Sequence, residues 1–298
     1  MSPFLTSIIF VVFGQLLNAA VVLIDKFIIT KTAVSKPSTY TFYVGMISGI
    51  VLIMIPFNIV HLPTLSVVML SILAGFTFIG SIYFLFTALI DANATDAVAW
   101  LATVSTITTF ILGFFILNEE LPKSFPVALI LLLVGMALVG HFRFHTKSFL
   151  LIVISGILFG LSAILMKVLF SQTDFTDGFF WSRMGNLFAA IMLIALPSVR
   201  RSIFENSRNI SRGTTFLIIA NRALGGLALV LILYAIRIGS VSIVNSLASL
   251  QFVFVFVLVL LLTKKMPDVY QHEFRHGHVL HKTLAAFFII AGFFVLFV

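Results

Sequence analysis

Apolar segments long enough to cross a lipid bilayer follow one another along almost the whole chain, and this succession leaves few folds open. They fall at about residues 4–28, 40–60, 66–90, 95–117 and 125–141, then at about 148–170, 178–197, 214–236, 240–263 and 282–298, each near the roughly 20 residues that one crossing needs. Residues 252–262 read FVFVFVLVLLL, apolar at every position, so the alternation expected of an outer-membrane barrel is absent. A helix satisfies its own backbone donors and acceptors, which lipid cannot do. The expected fold class is an all-α integral membrane protein of about ten transmembrane helices. A water-soluble domain is excluded because 61% of the residues are apolar and only 9% charged, against about 25% charged in globular proteins.

Pro37, Pro56, Pro63, Pro122, Pro197 and Pro267 stand at or near the ends of these runs, where helix breakers belong. Nothing basic precedes Phe4 and no cleavage-type small-residue site follows the first run, which is expected to be a retained helix and not a removable signal. The chain has no cysteine, which excludes disulfides and thiolate metal sites.

The two halves read alike. Asp25-Lys26-Phe27 closes the first run and Met166-Lys167-Val168 the sixth. Phe42-Tyr43-Val44-Gly45-Met46 in the second run answers Phe180-Trp181-Ser182-Arg183-Met184 in the seventh, and Phe86-Thr87-Ala88-Leu89-Ile90 answers Leu233-Tyr234-Ala235-Ile236-Arg237. The order is kept at an offset of about 140 residues, as a duplication would leave it. The implied domains are a first five-helix repeat at 1–141 and a second at 148–298. Because five is odd, the second copy would enter the bilayer from the opposite side, and two inverted repeats are an architecture of secondary transporters, with the substrate site between the halves.

The small and polar stretch Gly14-Gln15-Leu16-Leu17-Asn18-Ala19-Ala20 leading to Lys26, the Ala88 turn, the junction Glu119-Glu120-Leu121-Pro122, the Gly135 to Gly140 helix, Gly156-Ile157-Leu158-Phe159-Gly160 leading to Lys167, and Tyr234-Ala235 before Gly239-Ser240-Val241 together resemble the EamA-like family of the drug/metabolite transporter superfamily. The resemblance covers almost the whole chain. It implies a carrier that moves a small metabolite, amino acid or drug-like solute by alternating access; no GxxxxGK(S/T) loop for ATP occurs in the sequence, and no cofactor and no enzymatic activity are expected. It departs from the family where Lys264-Lys265 stands in place of the acidic pair and where the loop from Pro267 to Lys282 is long and histidine-rich.

The resemblance implies that both termini face the cytoplasm, whereas the charges point the other way. Lys26, Lys31, Lys36, Arg143, Lys147, Arg200, Arg201, Arg208, Arg212, Lys264, Lys265, Arg275 and Lys282 fall in odd-numbered loops, against Lys123 and Arg237 in even ones. Basic loops stay on the cytoplasmic side, which would put both termini outside. The expected partners are the lipid bilayer, a small-molecule solute and, as a further option, a second copy in a homodimer, in the cell membrane. The net charge of +8 is accounted for by this bias and by anionic lipid, without nucleic acid.

Candidate substrate-binding residues are those whose polarity is costly in lipid: Gln15, Asn18, Asn186, Asn221, Arg222, Asn245 and Ser249, with Tyr43 and Trp181 as aromatic walls at matching positions. Arg222, about 12 Å into its run, reads either as an anchor for an anionic substrate group or as a snorkelling side chain. Lys26, Lys167 and Arg183 read as candidate pathway mouths or as snorkelling cations. Asp91 and Asp96, at the turn after the third run, are the nearest proton-carrying candidates or plain helix caps, and no carboxylate is read as lying mid-span. His272-Glu273-Phe274-Arg275-His276 matches the spacing of a zinc peptidase helix. It lies between Pro267 and Gly277 in a charged loop, so a solvated loop is expected and a membrane peptidase is the alternative. No metal site is expected. A non-transporting scaffold or lipid-flippase subunit is the remaining alternative.

Overall fold

The computed structural model describes residues 3–31, 36–139, 146–195, 197, 199–201, 212–262 and 278–297. Among these every regular element is helical: α1 (Pro3–Lys31), α2 (Pro37–Ile47) continuing as a 3-10 helix (Ser48–Phe57), α3 (Leu65–Ala88), α4 (Ala94–Leu117), α5 (Phe125–Val139), α6 (Thr146–Gln172), α7 (Phe175–Leu193), α8 (Arg212–Ile238), α9 (Val241–Ser246), α10 (Ser249–Leu262) and α11 (His278–Val295).

Local chemistry sets the ends. Pro37 opens α2, where its missing N–H costs nothing. Thr64 Oγ1 accepts from Val67 N at the start of α3, and Asp174 Oδ1 accepts from Asp177 N at 2.7 Å at the start of α7. Asn118, with φ 47°, ends α4 in the left-handed region.

Seven of the helical stretches are long and apolar enough to cross a membrane: α1, α2 with its 3-10 extension, α3, α4, α6, α8, and Val241–Leu262, which joins α9 to α10. α5 and residues 280–295 of α11 are shorter apolar helices. α7 belongs to neither group, since Asp177, Arg183 and Asn186 dilute its apolar content. The outer surface is unlike that of a water-soluble domain, and polar side chains lie inside. Phe115 and Phe216 are each 74% exposed, while Thr39, Thr41, Thr106 and Ser249 are fully covered. An outer surface this apolar needs a lipid solvent, so the chain is an all-helical integral membrane protein.

The closest packing joins α3 to α6 and α7, α1 to α8, α4 to α6, and α5 to α11. Small residues make the approaches. A Cβ on Gly75 would meet the backbone of Gly185 and lie 2.7 Å from Asn186 N, and one on Gly156 would lie 2.6 Å from Val104 Cβ. Without a hydrophobic force between helices in lipid, such bare backbone surfaces allow van der Waals contact to hold them together.

Several of the cations counted above as loop residues are inside helices: Lys26 and Lys31 on α1, Lys147 on α6, Arg212 and Arg237 on α8, and Lys282 on α11. Lys282 Nζ pairs with Asp96 Oδ1 at 3.2 Å and donates to Thr95 Oγ1 at 2.5 Å. Asp96 is therefore half of an α4–α11 ion pair, whereas Asp91 is exposed. The imbalance of charge between the two sets of loops survives their removal.

Candidate functional site

Four buried side chains from three helices converge near the α1–α2 connection. Asp25 of α1 is 5% exposed, Tyr40 of α2 0% and Asn221 of α8 1%. Asp25 Oδ1 accepts from Tyr40 OH, from Arg222 Nη2 and, at 2.7 Å, from Asn221 Nδ2. Arg222 Nη2 also reaches Tyr40 OH at 3.0 Å, and its guanidinium carbon stands 5.3 Å from the centre of the Tyr40 ring. Phe86 packs against that ring, with centroids 4.7 Å apart. The Arg222 guanidinium, read from sequence as a substrate anchor or a snorkelling group, is thus engaged by an internal carboxylate. Asp25 and Tyr40 were not singled out from the sequence. The available signal was a carboxylate and an arginine inside apolar runs, because charges in lipid pair with one another.

The two lysines do matching work. Lys26 Nζ donates to the carbonyls of Leu89 at 2.6 Å and Ala92 at 2.8 Å, just beyond α3. Lys167 Nζ donates to those of Ile236 at 2.8 Å and Gly239 at 2.6 Å, at the end of α8, with Arg237 O at 3.2 Å. Aligned on Ala88 and Ala235, Leu89 falls on Ile236 and Ala92 on Gly239. The last carbonyls of a helix have no partner within it and carry negative partial charge, so an ammonium stabilises them. Replacing either lysine by methionine is expected to cost about 1.5–3 kcal/mol, the range for hydrogen bonds to a charged group, with similar losses for Lys26→Met and Lys167→Met in thermal unfolding of the purified protein.

The junction of α9 and α10 is a second polar locus. From Asn245 to Gln251 the backbone tightens into three-residue bonds, Ala248 N to Asn245 O at 3.1 Å and Gln251 N to Ala248 O at 3.0 Å. Such a stretch inside a span marks a hinge or a strained site. Thr106 Oγ1 of α4 donates to Asn245 O at 2.9 Å, and Ser249 Oγ to Ser246 O at 2.8 Å. Gln251 Nε2 reaches Asn18 O of α1 at 3.3 Å. Glu119, past the end of α4, accepts from Val241 N at 2.6 Å, Ser242 N at 3.1 Å and Ser240 Oγ at 2.8 Å. A carboxylate is favoured at that helix start.

Gln15 Oε1, Asn186 Nδ2 and Asn245 Nδ2 are sealed from solvent without a hydrogen-bond partner. Among the described residues no hydrogen bond joins these three side chains to one another. Tyr43 is half-buried. Trp181 faces the α2–α3 loop, its Nε1 donating to His61 O at 3.1 Å. Asp177, one turn before it, accepts from His61 N at 2.8 Å and lies 2.9 Å from His61 Nδ1. With Asp174 these residues bring three potential metal ligands within 4.8 Å, but their oxygens already serve the loop and the α7 cap. The histidine motif at 272–276 lies outside the described residues.

No family model matches the chain, and no curated protein matches it. Its fold is shared with solved structures. One crystal structure, described only as that of a protein, superposes with a TM-score of 0.63 over 99% of this chain and 96% of the other, at 17% identity. At that identity the likeness is one of fold alone.

Proposed function

We propose that the chain is a secondary transporter of a small metabolite, amino acid or drug-like solute, built like the EamA-like carriers from two inverted five-helix repeats and about ten spans. The observation that carries this is the paired lysines. Lys26 and Lys167 hold corresponding carbonyls at the end of the third helix of each half, as a duplication would leave them. Five helices per copy would reverse the second copy in the bilayer.

The packing supports the same reading. Exchanging the halves turns the α3–α6 pair into α8–α1, and both pairs are intimate. It turns α3–α7 into α8–α2, and here the halves differ. α3 and α7 touch backbone to backbone at Gly75 and Gly185. α8 makes no comparably close approach to α2 among the described residues, and is joined to it by the side chains of Arg222 and Tyr40. A duplicated bundle with one seam shut and its counterpart spanned by side chains is what an alternating-access carrier presents in one of its end states. The unpaired amides of Gln15, Asn186 and Asn245 then supply polar groups for a solute to satisfy.

Flux decides the matter. Reconstituted in liposomes, the protein is expected to give saturable uptake of at least one solute from a panel of radiolabelled amino acids, nucleosides and small carboxylates, above protein-free vesicles. Folded protein that moves none of them would leave the scaffold reading in its place.

A further inference from the structure

Four cations buried or half-buried in the bundle have found oxygen partners: Arg222 has Asp25, Lys282 has Asp96, and Lys26 and Lys167 have helix-end carbonyls. Arg183 differs. It lies about 12 Å along α7 at 1.5 Å per residue and is 6% exposed. Its one hydrogen bond among the described residues is a long one, from Nε to Ser182 Oγ at 3.5 Å, and no carboxylate pairs with it. Two rings flank it instead. The guanidinium carbon stands 5.4 Å from the centre of Phe78 on α3 and 5.7 Å from that of Phe179 on α7.

This arrangement leaves a specific vacancy in hydrogen bonding. Aromatic faces attract the guanidinium as a whole but accept none of its in-plane N–H groups. Neither Nη has a hydrogen-bond partner among the described residues. Asn186 follows three residues later on the same helix face, and its Nδ2 is sealed without an acceptor. Donors are present with nothing to receive them, in a setting where an unpaired charge is costly. The complement is a planar acceptor with negative charge. A carboxylate fits the fork of a guanidinium with two parallel bonds, whereas a dianionic phosphate would call for a second cation, and among the described residues none pairs with the same group as Arg183.

Resting on the transporter reading above, we infer that Arg183, assisted by Asn186, binds the carboxylate of the solute, whose apolar body lies against Phe78 and Phe179. The chemical class is a small monocarboxylate with a hydrophobic or aromatic portion. Neither Arg222 nor the lysines serve this purpose, because their charges are already met by Asp25, by Asp96 or by helix-end carbonyls.

The chain has two tryptophans, so Trp100→Phe leaves Trp181, two residues from Arg183, as the single reporter. At constant ionic strength, sodium benzoate is expected to change its fluorescence saturably, while benzamide and inorganic phosphate do not. Arg183→Gln should weaken benzoate at least tenfold, and Arg183→Lys less. Without added anion, Arg183→Gln should melt at a higher temperature than the parent, since it removes a buried charge that lacks a counter-ion. An arginine retained only for packing would make that variant melt lower. A flat benzoate titration, unchanged affinity in Arg183→Gln, an equal response to phosphate, or a lowered melting temperature would each overturn the inference. The two readings fail separately. Benzoate binding that depends on Arg183 with no solute flux in liposomes keeps the site and removes the transporter. Flux of other solutes without such binding does the reverse.

Discussion

Arg222→Met should destabilise the protein by about 3–5 kcal/mol, the cost of leaving a buried charge without its partner. Asp25 is 5% exposed, and Arg222 is its one cationic partner among the described residues. Removing the guanidinium leaves the carboxylate with Tyr40 OH and Asn221 Nδ2 alone. Against a typical total of about 5–15 kcal/mol, this loss is large enough to lower the yield of folded protein. Asp25→Asn strands the opposite charge and should cost a similar amount. The double variant is expected to lose clearly less than the sum, because neither charge is then left alone, and a double-mutant cycle by thermal or detergent unfolding reads that coupling. Arg222→Lys should restore only part of the stability: both bonds to Asp25 Oδ1 and Tyr40 OH come from the single Nη2, which an ammonium could replace, but the guanidinium plane over the Tyr40 ring would be lost. Additive losses would mean that the ion pair is incidental to the α1–α2–α8 contact.

How legible this was depended on whether the information was local. The apolar run read at residues 95–117 is α4 at Ala94–Leu117, and the run at 214–236 is α8 at Arg212–Ile238, because hydropathy and breakers are properties of neighbouring residues. The change to 3-10 geometry at Ser48–Phe57 and the tightening between Asn245 and Gln251 were not legible in the apolar runs that contain them. Both depend on what the rest of the bundle packs against them. Lys26 and Lys167 were legible as a matched pair, but their task was not, since their acceptors lie more than sixty residues away. Asp25 was visible only as the neighbour of Lys26. Its pairing with Arg222 joins the two halves of the chain, a contact that no local pattern encodes.

The seam between α3 and α7 gives the sharpest test of movement. A Cβ at Gly185 would fall within the van der Waals shell of the Ser71 carbonyl, and one at Gly75 within that of the Gly185 backbone. Backbone cannot yield by changing rotamer, so Gly185→Ala must push the helices apart. Overpacking costs about 1–3 kcal/mol where side chains can adjust, and a backbone clash belongs at or above the top of that range. Gly226→Ala is an internal control, because nothing stands within 4 Å of the added methyl. By helix propensity it should stabilise by about 0.5–1 kcal/mol. If the seam is a gate, Gly185→Ala does more than destabilise: it shifts the population toward the state in which α3 and α7 separate, since only that state relieves the clash. The absence of native cysteine makes this readable. Ser71 Oγ is sealed in the present arrangement, so a Ser71→Cys thiol should react slowly with a water-soluble maleimide, and faster when Gly185→Ala is added. A protein that loses stability while the thiol stays protected has a fixed seam, and the alternating-access reading would fail at that point.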